Sequence, residues 1–406
     1  MASSRERKLR IAASVLFATG FWDALAGRFV WEPNVPHSES DLPAPDGEMW
    51  RDLAGAVHIH STYSDGAGDV PTVMQAACQA NADWVLLADH NTQKPLRDGW
   101  EARYDDKPLL LVGTEISVEN GAFLLALDMP PAWEPTRDKT PQATIDEVNE
   151  HGGLPLVSLP FDVKHPWVDW DVTGCAGLEV LNFSTIARRH INLLSLVWLL
   201  LLGRFRGTLA VIRALLTRPD AALARWDRLT ENGTPSVGIG ALDAHAQMKI
   251  GVNKYPIPSY ADTMRAAMTH VLLPPDAEQT GEGARRSIYD ALRAGRCYFS
   301  YDCLGNPSPV SWTGTNDQQT VVMGESLGRG ANEAVQLRAH CPPKTLVRVY
   351  HRGRVVAAGA NGQVELAATE PGAYRVEGYR YRAKCGPFFF GARPWLFTNP
   401  IYVRER

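Results

Sequence analysis

Five short clusters in this 406-residue chain carry side chains that bind metal ions: His58-Ile59-His60, Ser64-Asp65-Gly66, Asp89-His90-Asn91, Gly113-Thr114-Glu115 and Asp243-Ala244-His245. Residues two apart on a strand share one face, so His58 and His60 can reach one ion. A lone HxH is weak evidence. Seven ligand-type residues, His58, His60, Asp65, His90, Glu115, Asp243 and His245, are a far stronger signal when each follows a separate apolar run or its turn. Mixed imidazole and carboxylate ligands suit Zn²⁺, Mn²⁺ or Fe²⁺ better than Ca²⁺ or Mg²⁺. Such ions lower the pKa of a bound water and neutralise charge on a scissile group, which is hydrolytic chemistry. Asp65, loosely held, could also serve as a general base. The sequence has no GxSxG step and no Cys–His arrangement to compete for the role of nucleophile.

Short apolar runs position these clusters, at 54–59, 84–88, 109–112, 154–159, 178–181 and 237–242. Their length and polar or glycine flanks predict buried parallel strands. Helical stretches separate them; one starts at Thr140-Pro141, a cap followed by proline in the first turn, and stops at Gly152-Gly153. Repeated strand–helix units predict an α/β barrel whose ligands all lie at the C-terminal rim, where barrel enzymes carry their chemistry. Beyond Asn306-Pro307-Ser308-Pro309 the pattern becomes short and alternating, at 335–339, 346–350, 363–367, 373–379 and 401–403, predicting a β-sandwich. The expected organisation is an N-terminal segment and linker over 1–50, a barrel over 51–308 and a β-domain over 309–406.

Composition is globular, 45% apolar and 21% charged, and the net charge of -4 gives the whole molecule no bias toward nucleic acid. From residue 340 onward, 11 Lys/Arg against 4 Asp/Glu make that region locally basic. None of the six cysteines forms a CxxC pair, so scattered thiols are expected, with Cys297–Cys303 as the one plausible bridge. A basic then apolar stretch before residue 35 reads either as a signal or anchor or as a packed helix, and the acidic, Pro-rich 36–50 reads as a linker. The apolar segment 191–202 is too short to span a bilayer. With the arginines after it, it could lie in a membrane interface, so membrane-surface contact through 191–216 or the N-terminus is one reading and burial is the other.

HIHSTYSDG, LLADHNT, VGTEIS and GIGALDAH resemble the motifs of the PHP (polymerase and histidinol phosphatase) superfamily, over roughly residues 53–303. The resemblance implies a distorted (β/α)7 barrel that hydrolyses phosphoesters with two or three metals. GLEVLNF, ARRSIYDALRAGRCYFSYD and the closing TNPIYV are similar to the CehA/McbA-like branch, which includes amide and carbamate hydrolases. Carried over, the pattern puts His58, His60, Glu115 and Asp243 on one metal and Asp65, His90 and His245 on a second. A third metal would need histidines where Ala122 and Leu159 stand, so the resemblance implies a site reduced to two divalent ions, Zn, Mn or Fe. His165 could substitute. His151 and His270, the latter expected in a helix-to-strand turn, read as structural, and Glu179 as a residue orienting a ligand. Arg188, Arg189 and Lys249 could meet an anionic small-molecule substrate under loops near 92–105, 160–172 and 246–258. The leading expectation is a phosphoesterase with Asp65 and His90 in catalytic positions; an amide or carbamate hydrolase and a catalytically impaired metal-binding scaffold are the alternatives.

Overall fold

The computed structural model of the chain describes residues 28–31, 50–190, 193–231, 233–250, 253–255, 258–330 and 333–406. The expected N-terminal signal or helix, almost all of the linker at 36–50 and the side chain of Lys249 lie outside the described residues.

After a short strand β1 (Arg28–Trp31), the chain builds a mixed α/β body. Its strands are β2 (Arg51–Ile59), β3 (Trp84–His90), β4 (Leu109–Ser117), β5 (Phe123–Leu127), β6 (Leu154–Ser158), β7 (Gly177–Asn182) and β8 (Val237–Ala241). Neighbours in this series pair in order. Backbone bonds then run from Leu242 N to Val57 O (3.0 Å), Ala244 N to His58 O (3.1 Å) and His60 N to Ala244 O (3.0 Å), bringing the chain after β8 back against β2. The pairing is not parallel throughout. β5 was not expected as a strand, and it runs antiparallel to both β4 and β6. It returns directly from β4 through Gly121 (φ 79), leaving no room for a crossover helix.

β3, β6, β7 and β8 are buried nearly end to end, as strands covered on both faces must be. In β3, Trp84, Leu86 and Ala88 join a core with Ile288 and Leu292 of a late helix (Gly281–Ala294), while Val85 and Leu87 face the outer layer that includes Val73 and Ala77. The latter two belong to α1 (Val70–Ala80). Asp69 caps it by accepting from Thr72 N, proline stands in its first turn, and Asn81 ends it in the left-handed conformation (φ 57). α2 (Lys94–Arg97) and α3 (Trp100–Arg103) follow β3, and α4 (Pro141–Glu150) forms where the Thr140 cap predicts it. After β7 come α5 (Phe183–His190), α6 (Leu193–Arg206), α7 (Thr208–Leu215) and α8 (Asp220–Thr230).

Two further strands, β11 (Met268–Leu273) and β12 (Cys297–Ser300), follow the small ribbon β9 (Met248–Ile250) and β10 (Asn253–Tyr255). β11 runs antiparallel to β2 and to β12. His270 therefore sits within a strand and not in a turn. It is buried between Asp52 (2.8 Å) and Asp302 (3.2 Å), with its ring stacked on Tyr298.

The remaining strands are largely antiparallel. β13 (Ser311–Thr315), β14 (Thr320–Val322), β16 (Val335–His340) and β19 (Gln363–Ala368) form one sheet. β15 (Ser326–Arg329), β17 (Thr345–His351), β18 (Arg354–Gly359), β20 (Gly372–Arg380), β21 (Ala383–Cys385), β22 (Phe388–Thr398) and β23 (Ile401–Glu405) continue the large sheet, because β22 pairs with β12. The two sheets meet where Trp312 Nε1 donates to Tyr374 O at 3.1 Å. A buried charge network joins α8 to this region: Arg375 bonds Asp227 (2.6 and 2.8 Å) and Glu377 (2.6 Å), and Arg218 clamps Glu377 (2.5 and 2.7 Å). All six cysteines are free, Cys297 and Cys303 included.

Candidate metal centre

All seven ligand-type residues converge at one rim of the strand series. His58 and His60 close β2, but not by simple alternation. A bulge shifts the β2–β3 register between Val57 and Ile59, and His58 adopts φ 67. That twist aims both imidazoles inward, with Nε2 atoms 3.0 Å apart and both rings fully buried. Asp243 (φ 52) and Asn91 (φ 50) are also left-handed, conformations that cost about 1 kcal/mol or more and concentrate at functional sites.

Glu115 and Asp243 complete the inner group. Glu115 Oε1 lies 3.4 Å from His58 Nε2 and Oε2 lies 3.6 Å from His60 Nε2; Asp243 Oδ1 lies 3.4 Å from His60 Nε2 and 3.9 Å from His58 Nε2. The outer group is His60, Asp65, His90 and His245. Asp65 Oδ1 stands 2.9 Å from His245 Nε2, 3.7 Å from His90 Nε2 and 3.9 Å from His60 Nδ1. His90 Nδ1 reaches to within 3.1 Å of Glu115 Oε2. His60 thus stands in both groups, which its spacing from His58 did not indicate.

The supporting shell is specific. His58 Nδ1 bonds Glu179 Oε1 at 2.6 Å, fixing the tautomer so that Nε2 faces inward. Glu179 Oε2 accepts from Leu159 N and Asn182 Nδ2, both at 2.9 Å. Ser158 Oγ donates to Glu115 Oε1 at 2.7 Å, and Tyr260 donates to the carbonyl of His60 at 2.7 Å. Asp89 holds the following turn, accepting from Ser61 N (2.8 Å), Ser61 Oγ (2.7 Å) and Ser64 Oγ (2.6 Å). Gly66 is required there, since a Cβ would stand 2.1 Å from the carbonyl oxygen of His60. Ser158, Asp89 and Tyr260 were not singled out from sequence; only the DH pairing at 89–90 hinted at one of them.

Burial disfavours the Glu115 carboxylate, but the imidazoles of His58, His60 and His90 outweigh it and hold the carboxyl down at about 2. Asp243 and Asp65 are buried against the same tendency and driven lower still by their histidine neighbours. His58 is raised despite its burial, because Glu115 and Glu179 flank it, whereas burial leaves His60 lowered. The carboxylates are therefore anionic at neutral pH, as ligands must be. Glu115 Oε2 and His90 Nδ1 are both buried and make no hydrogen bond among the described residues. Together with two inward Nε2 atoms 3.0 Å apart, they form the donor set that a shared cation satisfies, so the residues fit divalent ions.

The third-site positions are apolar. Ala122 and Leu159 are buried, and Leu159 is left-handed (φ 47) with its N–H bonded to Glu179. His165 is exposed and stands outside both ligand groups, its ring edge-on to Phe123 at 5.4 Å. His151 ends α4 and bonds the carbonyl of Glu147 at 2.8 Å. Arg189 bonds Phe161 O at 2.6 Å, away from the cluster. Arg188, on α5, does reach it: its guanidinium bridges Asp162 (2.9 Å) and Asp243 Oδ2 (3.0 Å) while 44% of the side chain stays exposed.

No family model and no curated protein matches this chain. Among solved structures it is similar to a two-domain protein from Bacteroides vulgatus containing a predicted PHP-like metal-dependent phosphoesterase, at 16% identity over 90% of this chain and 99% of that one, with a TM-score of 0.40. A candidate metal-dependent phosphoesterase from Bifidobacterium adolescentis matches at 15% identity over 58% of this chain and 96% of that one, TM-score 0.33. An amidohydrolase from Chromobacterium violaceum, with bound sulfate and no metal, matches at 14% identity over 51% of this chain and 92% of that one, TM-score 0.31. At these scores the likenesses carry no weight in assigning an activity, which rests on the chain's own side chains.

Proposed function

We propose that this chain is a metal-dependent hydrolase of the PHP type, with a distorted (β/α)7 barrel, and that it cleaves a phosphoester. The observation that carries the reading is the convergence of seven ligand-type side chains around buried, unsatisfied Glu115 and His90 atoms. His58, His60, Glu115 and Asp243 would hold one ion, and Asp65, His90 and His245, with His60 alongside, a second. Bound there, divalent ions supply Lewis acidity toward the scissile group and toward water. Glu179 locks His58, and Ser158 and Asp89 fix the carboxylate and the turn around it. Asp65 and His90, with 37% and 28% of their side chains exposed, are the members open to an incoming substrate and to proton transfer. Arg188 favours an anionic scissile group over an amide: it places a guanidinium fork at the mouth, beside Asp243, where a phosphoryl oxygen would be drawn. The CehA/McbA-like branch is the finer placement that the sequence motifs support.

Elemental analysis of protein purified without chelator or histidine tag tests the ion count, with about two per chain expected. A panel of phosphomonoesters, phosphodiesters, amides and carbamates then tests the bond. Phosphoester turnover that disappears in Asp65→Asn and His90→Ala supports the reading. Amide or carbamate turnover alone would replace the substrate class. Ions without any turnover would leave a metal-binding scaffold.

A further inference from the structure

Helix α6 carries an apolar stripe that the fold does not bury. Val197, Leu200, Leu201 and Phe205 are 54%, 56%, 54% and 72% exposed, and their spacing puts them on one helix face. Arg204 and Arg206 stand at its C-terminal end. The next helix, α7, lends Arg213 to a cavity of about 230 Å³ that is also lined by Arg380, Arg382 and Arg393. The stripe and one arginine of the cavity, Arg213, are therefore carried by one helical hairpin, and the other cavity arginines come from β20, β22 and the turn between them. A third feature meets them there. β1, through which residues 1–27 enter the described structure, pairs Arg28 with Ala392, between the cavity residues Gly391 and Arg393. The preceding sequence is basic over 5–10 and mostly apolar over 11–22.

We propose that this face docks on the surface of a bilayer containing anionic lipid, with the α6 stripe in the interface and the arginines on headgroup phosphates. α6 has 14 residues, about 21 Å of helix, so it lies on a bilayer and does not cross one. No helix among the described residues is long and apolar enough to cross. Charge separates the bilayer from a second copy of the chain. A two-fold interface would set the same arginines against each other, whereas a surface of anionic headgroups complements them.

Co-sedimentation of the full chain with vesicles tests this, using phosphatidylcholine alone and phosphatidylcholine with phosphatidylglycerol. Binding to the second and not the first is expected, and it weakens with salt. Arg206→Gln with Arg382→Gln should weaken it roughly 25-fold, at roughly fivefold per arginine. Leu201→Ser with Phe205→Ser should weaken it by more than about tenfold, with thermal melting unchanged in both variants. Wild-type protein left in the supernatant with both vesicles would overturn the proposal. So would full binding by both variants, which would leave 11–22 as the sole anchor. So would inorganic phosphate filling the cavity without any vesicle binding, or a dimer in sedimentation velocity that Leu201→Ser with Phe205→Ser dissociates.

Discussion

His270→Leu removes the one cation from a buried clamp remote from the ligand cluster, and its cost can be worked from the structure. His270 ties β2 to β12 through β11. Nδ1 bonds Asp52 at 2.8 Å and Nε2 lies 3.2 Å from Asp302, with Tyr298 donating to Asp52 at 2.5 Å and Ser300 donating to Asp302. Burial opposes its charge, but Asp302 and Asp52 raise it from 6.5 to about 10. That shift corresponds to about 5 kcal/mol of preference for imidazolium. Removing one partner of a buried ion pair costs about 3–5 kcal/mol, because the carboxylates are left uncompensated. We therefore expect His270→Leu to lose about 3–5 kcal/mol in urea unfolding at pH 7, with a bound-metal content per folded chain equal to wild type. The pH dependence has a definite sign. A raised histidine contributes in full below 6.5 and loses its contribution as pH rises through about 10. Asp52 is lowered from 3.8, burial notwithstanding, so its share is present above that value and lost as pH falls. The difference between wild type and variant should hold between about 3.8 and 6.5, fall as pH rises above 6.5 and be nearly gone by about 10. A loss under about 1 kcal/mol, or one that does not shrink in alkali, would refute a charged His270.

Glu179→Gln should weaken metal affinity about 10- to 100-fold, read by competition with a chromophoric chelator, since Glu179 fixes the His58 tautomer through the 2.6 Å bond. Leu159→His with Ala122→His should raise the ion count by one in elemental analysis, because Glu115 is already in place and Leu159 already holds the left-handed backbone that histidine tolerates. Arg188→Ala should raise KM for an anionic substrate by roughly tenfold or more while leaving metal content unchanged, and equal losses on neutral and anionic substrates would remove its role in charge recognition. Gly66→Ala should depress both stability and turnover, checked by thermal melting alongside activity, since the added methyl meets the His60 carbonyl at 2.1 Å.

The ligand cluster was legible in the sequence because each member follows a nearly continuous apolar run, and such runs mark strands buried on both faces. β5 was missed because 123–127 (FLLAL) follows β4 so closely that the two read as one region, and because a helix was expected between strands. His270 was placed in a turn because its run, MTHVLL, is broken by Thr and His. His270 faces the buried partners Asp52 and Asp302 and Thr269 bonds the backbone of Gly240, all contributed from elsewhere along the chain, and local pattern cannot see them. His60's place in both ligand groups depends on the bulge at His58, a backbone irregularity with no composition signature. Arg188 stood in the sequence only as one of three cations that could meet an anionic substrate, and only folding α5 over the rim brings it, and not Arg189, to Asp243. Glu179, in contrast, was found from its place in a late apolar run, where a ligand's partner is needed.

The central place of β22 bears on when the molecule can finish folding. Phe397 lies in register between Phe299 of β12 and Glu377 of β20, and the same strand pairs Ala392 with Arg28. During synthesis, residues 388–398 leave the ribosome after nearly everything they hold together. Until then β12 has an open edge, and β1 and β20 wait for a shared partner. A nascent chain of this topology exposes unpaired strand edges for most of its elongation. Loss of residues 388–398 should therefore produce aggregation and not a shortened chain that still folds.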